Sequence, residues 1–238
     1  MATRPVFVPN FEEGPLVREV DTEFEWHPGF AVTQKRKNIR GLHESAAEKE
    51  ISPILEISTK SEKNIGRILS AFNLKVVVNK NHEMTVESAY QGSKVFEHGG
   101  PYKELYDKTS KEAKKDPRIR ESGKLVKFNL KGDEWDLKPK TAFYDWIYVN
   151  ALYQQKGIED EVAKYDGFTD IEFNPKKSVN CQARSAALFV SLLRRGILRE
   201  VLLDKEVFRE AVATNSHKPV EKKRVYRWGR VGRSFGAR

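Results

Sequence analysis

The chain has 238 residues, enough for one large domain with a sizeable core or for a core plus a small module. Hydrophobic residues at 39% and charged residues at 32% exclude a disordered chain, and no apolar run reaches the length of a signal peptide core or a membrane span. The formal charge of +9 is unevenly spread and gathers at the C-terminal end.

Residues 5–8 and 16–26 read as strands, with β-branched residues in partial alternation between Gly14-Pro15 and Pro28-Gly29. An amphipathic helix is predicted over residues 33–48 on Ile39, Leu42 and Ala46, and Pro53 divides it from an apolar strand at 54–57. Residues 1–60 are therefore expected to form an N-terminal αβ module. Its Lys35, Arg36, Lys37 and Arg40 suit either a solvated helix face or contact with phosphate. Ser61 opens a helix whose apolar side, Ile65, Ile68 and Leu69, runs to Phe72. Residues 74–78 form a β-branched strand ending in the turn Asn79-Lys80-Asn81.

A third helix is predicted over residues 85–96, capped by Thr85, with Val86, Ala89, Val95 and Phe96 as a partial apolar stripe. On it Glu87, Gln91 and Lys94 fall at i, i+4 and i+7, so a carboxylate, an amide and an amine share one face over about 10 Å of axis, bordered by Tyr90. Such a face is either a solvated stripe or a polar site. The turn Gly99-Gly100-Pro101 either stops the helix or lets a phosphate approach main-chain N–H groups. Short helical patterns follow around Leu105 and Ala113, broken at Pro117.

Residues 124–130 read as a strand, and Gly132-Asp133 turns the chain toward Trp135. A long helix runs from near Pro139 through Trp146 to about Gln155; its aromatic residues are core by default, with Trp146 the candidate for a ligand wall. Residues 168–175 are strand-like and stop at Pro175. Ser178 or Asn180 then caps a helix through Arg195 that packs by Ala183, Ala186, Ala187 and Leu188 and ends at Gly196. Arg184, one turn inside, either reaches a pyrophosphate near the helix start or lies on the surface. Cys181, the one cysteine, reads as a buried filler or a thiolate at a helix start. A lone cysteine leaves no disulfide framework and no cysteine-based zinc site, so a reducing cytoplasm is the expected compartment; the five scattered histidines point to no metal.

A last amphipathic helix is predicted over residues 199–213, completing a core of residues 61–213 in an α+β, predominantly helical fold. Residues 214–238 form a basic tail. Between Lys218 and Arg238 it carries eight basic residues and one acid, Glu221. Arg224, Arg227, Trp228 and Arg230 are the candidates for contact with nucleic acid, by phosphate pairing and base stacking; a solubilising end is the alternative.

In order along the chain come Leu69-Ser70-Ala71-Phe72-Asn73, the stretch holding Glu87 and Lys94, Trp135, the run Phe143-Tyr144-Asp145-Trp146, and Asn180 opening a small-residue helix with Arg194 near its end. This order resembles the NADAR family over roughly residues 65–200. That family has a Ser-Asn-Phe-like stretch where this chain reads Ser70-Ala71-Phe72-Asn73, a departure that bears on Asn73. Arg4-Pro5-Val6-Phe7, the segment Phe24-Glu25-Trp26-His27-Pro28-Gly29-Phe30 and residues 35–43 resemble the subgroup encoded beside guanine-modifying DarT toxins.

The resemblance implies a NADAR-type core that handles N-glycosidic bonds of ribose, in ADP-ribosylated bases or in riboflavin-pathway intermediates. For the subgroup it implies a hydrolase that removes ADP-ribose from guanine in DNA, an antitoxin whose functional partner is a DarT-type toxin and whose product is ADP-ribose, with no cofactor. The site it implies has Glu87 and Lys94 as catalytic groups, with Phe72, Asn73, Tyr90, Gln91, Trp135, Trp146, Asn180 and Arg184 around the ligand. Glu87 would stabilise an oxocarbenium-like sugar or act as base toward water. Lys94 would donate a proton, hold a phosphate, or attack the opened sugar as an amine. No second carboxylate stands out; Asp145 and Asp170 are the possible ones. Two other classes stay open: a small-molecule N-glycosidase of the riboflavin-pathway type, and a non-catalytic protein that binds ADP-ribose or DNA or neutralises the toxin by contact.

Overall fold

A computed structural model describes residues 1–79 and 82–213 of the chain. The turn expected at Lys80-Asn81 and the basic tail with Arg224, Arg227, Trp228 and Arg230 lie outside the described residues.

Strands β1 (Ala2–Pro9) and β2 (Val17–Phe24) form an antiparallel hairpin, registered from Ala2 opposite Phe24 to Pro9 opposite Val17. Helix α1 (Val32–Ala47) packs on β2. The next elements are β3 (Ile54–Glu56), α2 (Asn64–Ile68) and the hairpin of β4 (Lys75–Asn79) with β5 (His82–Thr85). Then come α3 (Val86–Gly92), β6 (Lys94–Phe96), a 3-10 turn (Lys103–Asp107), α4 (Ser110–Lys115) and α5 (Arg118–Glu121). Strands β7 (Leu125–Leu130) and β8 (Asp133–Trp135) complete a small antiparallel sheet in the order β6-β7-β8. The last third holds α6 (Ala142–Tyr153), α7 (Ile158–Val162), β9 (Gly167–Thr169), α8 (Gln182–Arg194), α9 (Leu198–Val201) and α10 (Lys205–Ala213). Helix outweighs strand in this α+β arrangement.

The largest sheet runs β2-β1-β9-β3, with β9 antiparallel to β1 at Phe7 and Phe168 and parallel to β3. It joins strands from both ends of the chain. Alternation along β1 sends Phe7 to the main core and Val6 and Val8 to a second cluster beneath α1, where Phe24, Ile39, Leu42 and Ile171 meet them. The main core centres on α6 against α8. Nine of the twelve residues of α6 are buried, which explains why its apolar residues go all the way round rather than forming a stripe.

The helix expected over residues 85–96 stops at Gly92. A Cβ there would sit 2.6 Å from the Tyr106 ring, so only glycine admits that approach. The Ser93 hydroxyl bonds back to the Ala89 carbonyl (2.7 Å), and the chain extends into β6, pairing Lys94 with Phe128. Val95 and Phe96 belong to that strand. The helix expected over 199–213 is divided in two, with Asp204 Oδ1 accepting from the N–H groups of Glu206 (2.7 Å) and Val207 (3.3 Å) to start α10. Among the described residues no helix is long and apolar enough to cross a membrane.

Candidate active site

A cavity of about 630 Å³ opens between α3, the end of β9 and the loop leading into α8. Helix α3 supplies one wall. The Thr85 hydroxyl accepts from the Ser88 N–H (3.1 Å) and caps it, while the Glu87 N–H bonds to the Ala71 carbonyl (3.0 Å) and ties its first turn to the loop after α2. Glu87 is buried, 6% exposed, in that first turn, where the helix dipole favours an anion.

Gln91 Nε2 donates to Glu87 Oε1 (2.9 Å), and Lys94 Nζ donates to Gln91 Oε1 (2.8 Å). One orientation of the Gln91 amide satisfies both neighbours, so acid, amide and amine form a line. Lys94 reaches it from β6, just past the helix, rather than from the helix face that sequence spacing suggests. Burial pushes the Lys94 amine down to about 8; the Glu87 charge opposes this, and the Lys114 charge adds to it. Lys114 Nζ lies 3.7 Å from Glu87 Oε1 and 4.9 Å from the centre of the Phe72 ring.

Tyr90 stands beside the line, with Lys94 Nζ 4.6 Å from its ring centre. Burial and then the Glu87 charge raise the phenol above its usual range, so it stays neutral. Its hydroxyl accepts from Asn180 Nδ2 (2.7 Å). That bond takes the Asn180 side chain away from the start of α8, whose N-cap is Cys181 without a side-chain cap bond. The Asn180 side-chain oxygen Oδ1 is buried without a hydrogen-bond partner.

The lining also includes Asp170, just past β9. Its oxygens accept from Gln182 Nε2 (2.9 Å) and the Glu172 N–H (3.0 Å). Burial nonetheless raises this carboxyl above its usual range. Behind it, Glu56 is raised by burial and by the Asp170 charge, and its oxygens accept from the Thr169 hydroxyl (2.7 Å) and the Ile171 N–H (2.9 Å). Two buried acids set against each other favour keeping a proton between them. Gln182 joins three wall segments: its oxygen accepts from the Ala71 N–H (2.7 Å), and its Nε2 also donates to the Ile57 carbonyl (2.7 Å).

A family model for DarT1-associated NADAR antitoxins matches residues 2–222. The chain belongs to this family. No curated protein matches it. The match takes in the N-terminal segment as well as the core, and the NADAR family is associated with N-glycosidase and hydrolase activity.

In this NADAR antitoxin, Phe72, Glu87, Tyr90, Gln91, Lys94 and Asn180 all line the one cavity. Four other expected ligand residues do not. Asn73 is exposed and closes a turn, its Nδ2 donating to the Arg67 carbonyl (2.8 Å). Trp135 is a core residue, 2% exposed, packed on Phe143 (5.7 Å) and Trp146 (5.4 Å), with its indole N–H on Asp133 (2.9 Å). Trp146 packs edge-on to Phe208 of α10 (5.2 Å). Arg184 pairs with Asp145 (3.0 Å) and Glu19 (3.5 Å). The reason is helical phase: Tyr144 and Gln182 line the cavity, and residues two further on, Trp146 and Arg184, lie about 200° around their helices. Asp145 is thereby accounted for, since its other oxygen accepts from the Ser185 hydroxyl (2.6 Å).

Sequence reading passed over Gln182, Lys114, Tyr144 and Phe173 as wall residues and left Asp170 without support. A polar residue directly after a short apolar strand was the available signal for Asp170, because strand ends are where loops present chemistry.

Proposed function

We propose that this antitoxin is a hydrolase that removes ADP-ribose from guanine in DNA, reversing in the cytoplasm the modification made by a DarT-type toxin. The observation that carries the reading is that the buried line of Glu87, Gln91 and Lys94 shares one cavity of small-molecule size with Asp170, a carboxyl raised by burial.

Cleavage breaks the bond between ribose C1′ and a base nitrogen. The electron pair leaves with the nitrogen, which takes up a proton, and water supplies the new oxygen on C1′. Glu87 is assigned to the positive charge that builds on the ribose, and Lys94, with both protonation states populated near neutral pH, to proton delivery or to amine attack on the opened sugar. Asp170 is the second carboxyl group, holding or returning the proton exchanged with water. Phe72, Tyr144 and Phe173 offer flat apolar surface to a base, Lys60, Lys114 and Lys177 offer charge to a pyrophosphate, and the unpartnered Asn180 oxygen offers an acceptor to a sugar hydroxyl.

Incubation with guanine-ADP-ribosylated oligonucleotides tests this, with thymine-modified ones for comparison. Glu87→Gln and Lys94→Ala variants are expected to fold normally and to leave the guanine adduct in place; unchanged release by both rejects the assignment. One observation favours the small-molecule reading: the described lining residues, from Ser58 to Gln182, already form a cavity of small-molecule size. Activity on a modified mononucleotide that survives deletion of residues 218–238, with none on DNA, selects that alternative.

A further inference from the structure

Residues 25–31 join β2 to α1, and their root is fixed twice. The buried Asn38 side chain accepts from the His27 N–H (2.7 Å) and donates to the His27 carbonyl (2.8 Å), imitating a strand pair. Trp26 packs edge-on to Phe24 (6.1 Å), with the Arg4 guanidinium 5.3 Å and the Lys35 ammonium 5.7 Å from its ring centre. Beyond this root, Pro28 and Gly29, the latter at φ 131°, carry the chain outward, and Phe30 stands 98% exposed with Val32 43% exposed beside it. A phenylalanine held in water from a pinned root forgoes the burial that Phe7, Phe24 and Phe168 enjoy.

Two ion pairs tie the helix that follows, α1, to the cavity wall and its neighbourhood. Lys35 Nζ pairs with Glu172 (3.1 Å), which lines the cavity next to Phe173. Arg40 pairs with Glu62 (Nε to Oε2, 3.0 Å), two residues past the wall residue Lys60. On the same helix Arg36 and Lys37 have no ion-pair partner among the described residues, and the Arg36 Nε is buried without a hydrogen bond. The local acids are Glu172 and Glu62, both paired, and the exposed Glu25 and Glu44. An exposed ring just ahead of a helix that carries unpaired cations, and whose Lys35 pairs with a cavity-lining acid, matches a nucleic-acid strand better than an apolar protein face.

We propose that Phe30, together with Arg36 and Lys37, docks the DNA strand that carries the modified base, the ring stacking on a neighbouring base while the cations meet flanking phosphates. This rests on the DNA reading above and gives the N-terminal residues a task distinct from catalysis.

The test uses the full chain as wild type, Phe30→Ala and Lys37→Ala, with three probes: a fluorescent unmodified single-stranded oligonucleotide, a guanine-ADP-ribosylated oligonucleotide, and the ADP-ribosylated guanine mononucleoside. Phe30→Ala is expected to weaken oligonucleotide binding and raise KM for the modified oligonucleotide by about tenfold, leaving kcat and mononucleoside turnover unchanged. Lys37→Ala is expected to weaken binding and flatten its salt dependence by about one unit of slope. Equal oligonucleotide affinity and KM in wild type and Phe30→Ala overturns the proposal. So does an equal loss on the mononucleoside, no measurable oligonucleotide binding by the wild type, or a Phe30→Ala defect confined to toxin binding. Should the wild type release nothing from either adduct, the hydrolase reading fails, while the tenfold affinity loss or its absence still decides the docking surface.

Discussion

In the proposed reaction Lys94 is the group on which the chemistry turns, and its protonation can be shifted without touching the amine. Burial lowers it from the ordinary 10.5 to about 8, a penalty on the charged form of about 3 kcal/mol. At pH 7 roughly one molecule in ten then carries a neutral amine, against about one in three thousand for a free lysine side chain. Glu87 holds the amine up and Lys114 pushes it down. Glu87→Gln is therefore expected to move the Lys94 titration below about 8, and Lys114→Gln to move it above. Lys114 is 56% exposed along its side chain, so its replacement leaves the fold intact. The assay is a 13C titration of the lysine Cε, with Lys94 assigned by its loss in Lys94→Ala, alongside the pH dependence of ADP-ribose release by wild type and Lys114→Gln. If the neutral amine attacks, release climbs with pH and levels off near 8; if the ammonium donates the proton, release falls above that point. In Lys114→Gln the inflection shifts to higher pH in both cases. A Lys94 that titrates above 10, or the two variants shifting it in the same direction, refutes the reasoning.

Gln182→Leu removes donors or acceptors from Ala71, Ile57 and Asp170 together and is expected to cost about 2–4 kcal/mol by thermal melting while lowering ADP-ribose release. Arg184→Gln leaves buried Asp145 without its cation, so stability falls by about 3 kcal/mol while KM stays unchanged, because Arg184 lies outside the cavity; a raised KM would return it to the ligand. Gly92→Ala drives a methyl group into the Tyr106 ring and is expected to destabilise by about 1–3 kcal/mol by urea titration, with full stability contradicting the close approach.

Local signals carried much of the fold. The Thr85 cap of α3, the long apolar run of α6 and the small-residue helix α8 with its stop at Gly196 follow from signals that depend on neighbours within a turn or two, although the cap expected for α8 at Ser178 or Asn180 is absent. The misread helix end has an equally local cause: Val95 and Phe96 keep helical apolar spacing, while the reason for stopping, the Tyr106 ring against Gly92, comes from the 3-10 turn further along. Strand β5 opens with His82 and Glu83, has a single β-branched residue, Thr85, at its end, and gave no strand signal.

At the cavity, Glu87, Gln91 and Lys94 were legible as a group because they are close in sequence. Asp170 and Gln182 were not, since they meet that group only through the pairing of β9 with β3 and the packing of α8. Trp135, Trp146 and Arg184 have side chains that suit a ligand, and composition does not tell which side of a helix or sheet faces a cavity. Helical phase, counted from Tyr144 and Gln182, does.

The most direct measurement is release of ADP-ribose from a guanine-ADP-ribosylated oligonucleotide, followed for wild type and Glu87→Gln at equal concentration. The account predicts complete loss of the adduct with wild type and an intact adduct with Glu87→Gln. An adduct that persists with wild type, or disappears equally fast with the variant, contradicts it.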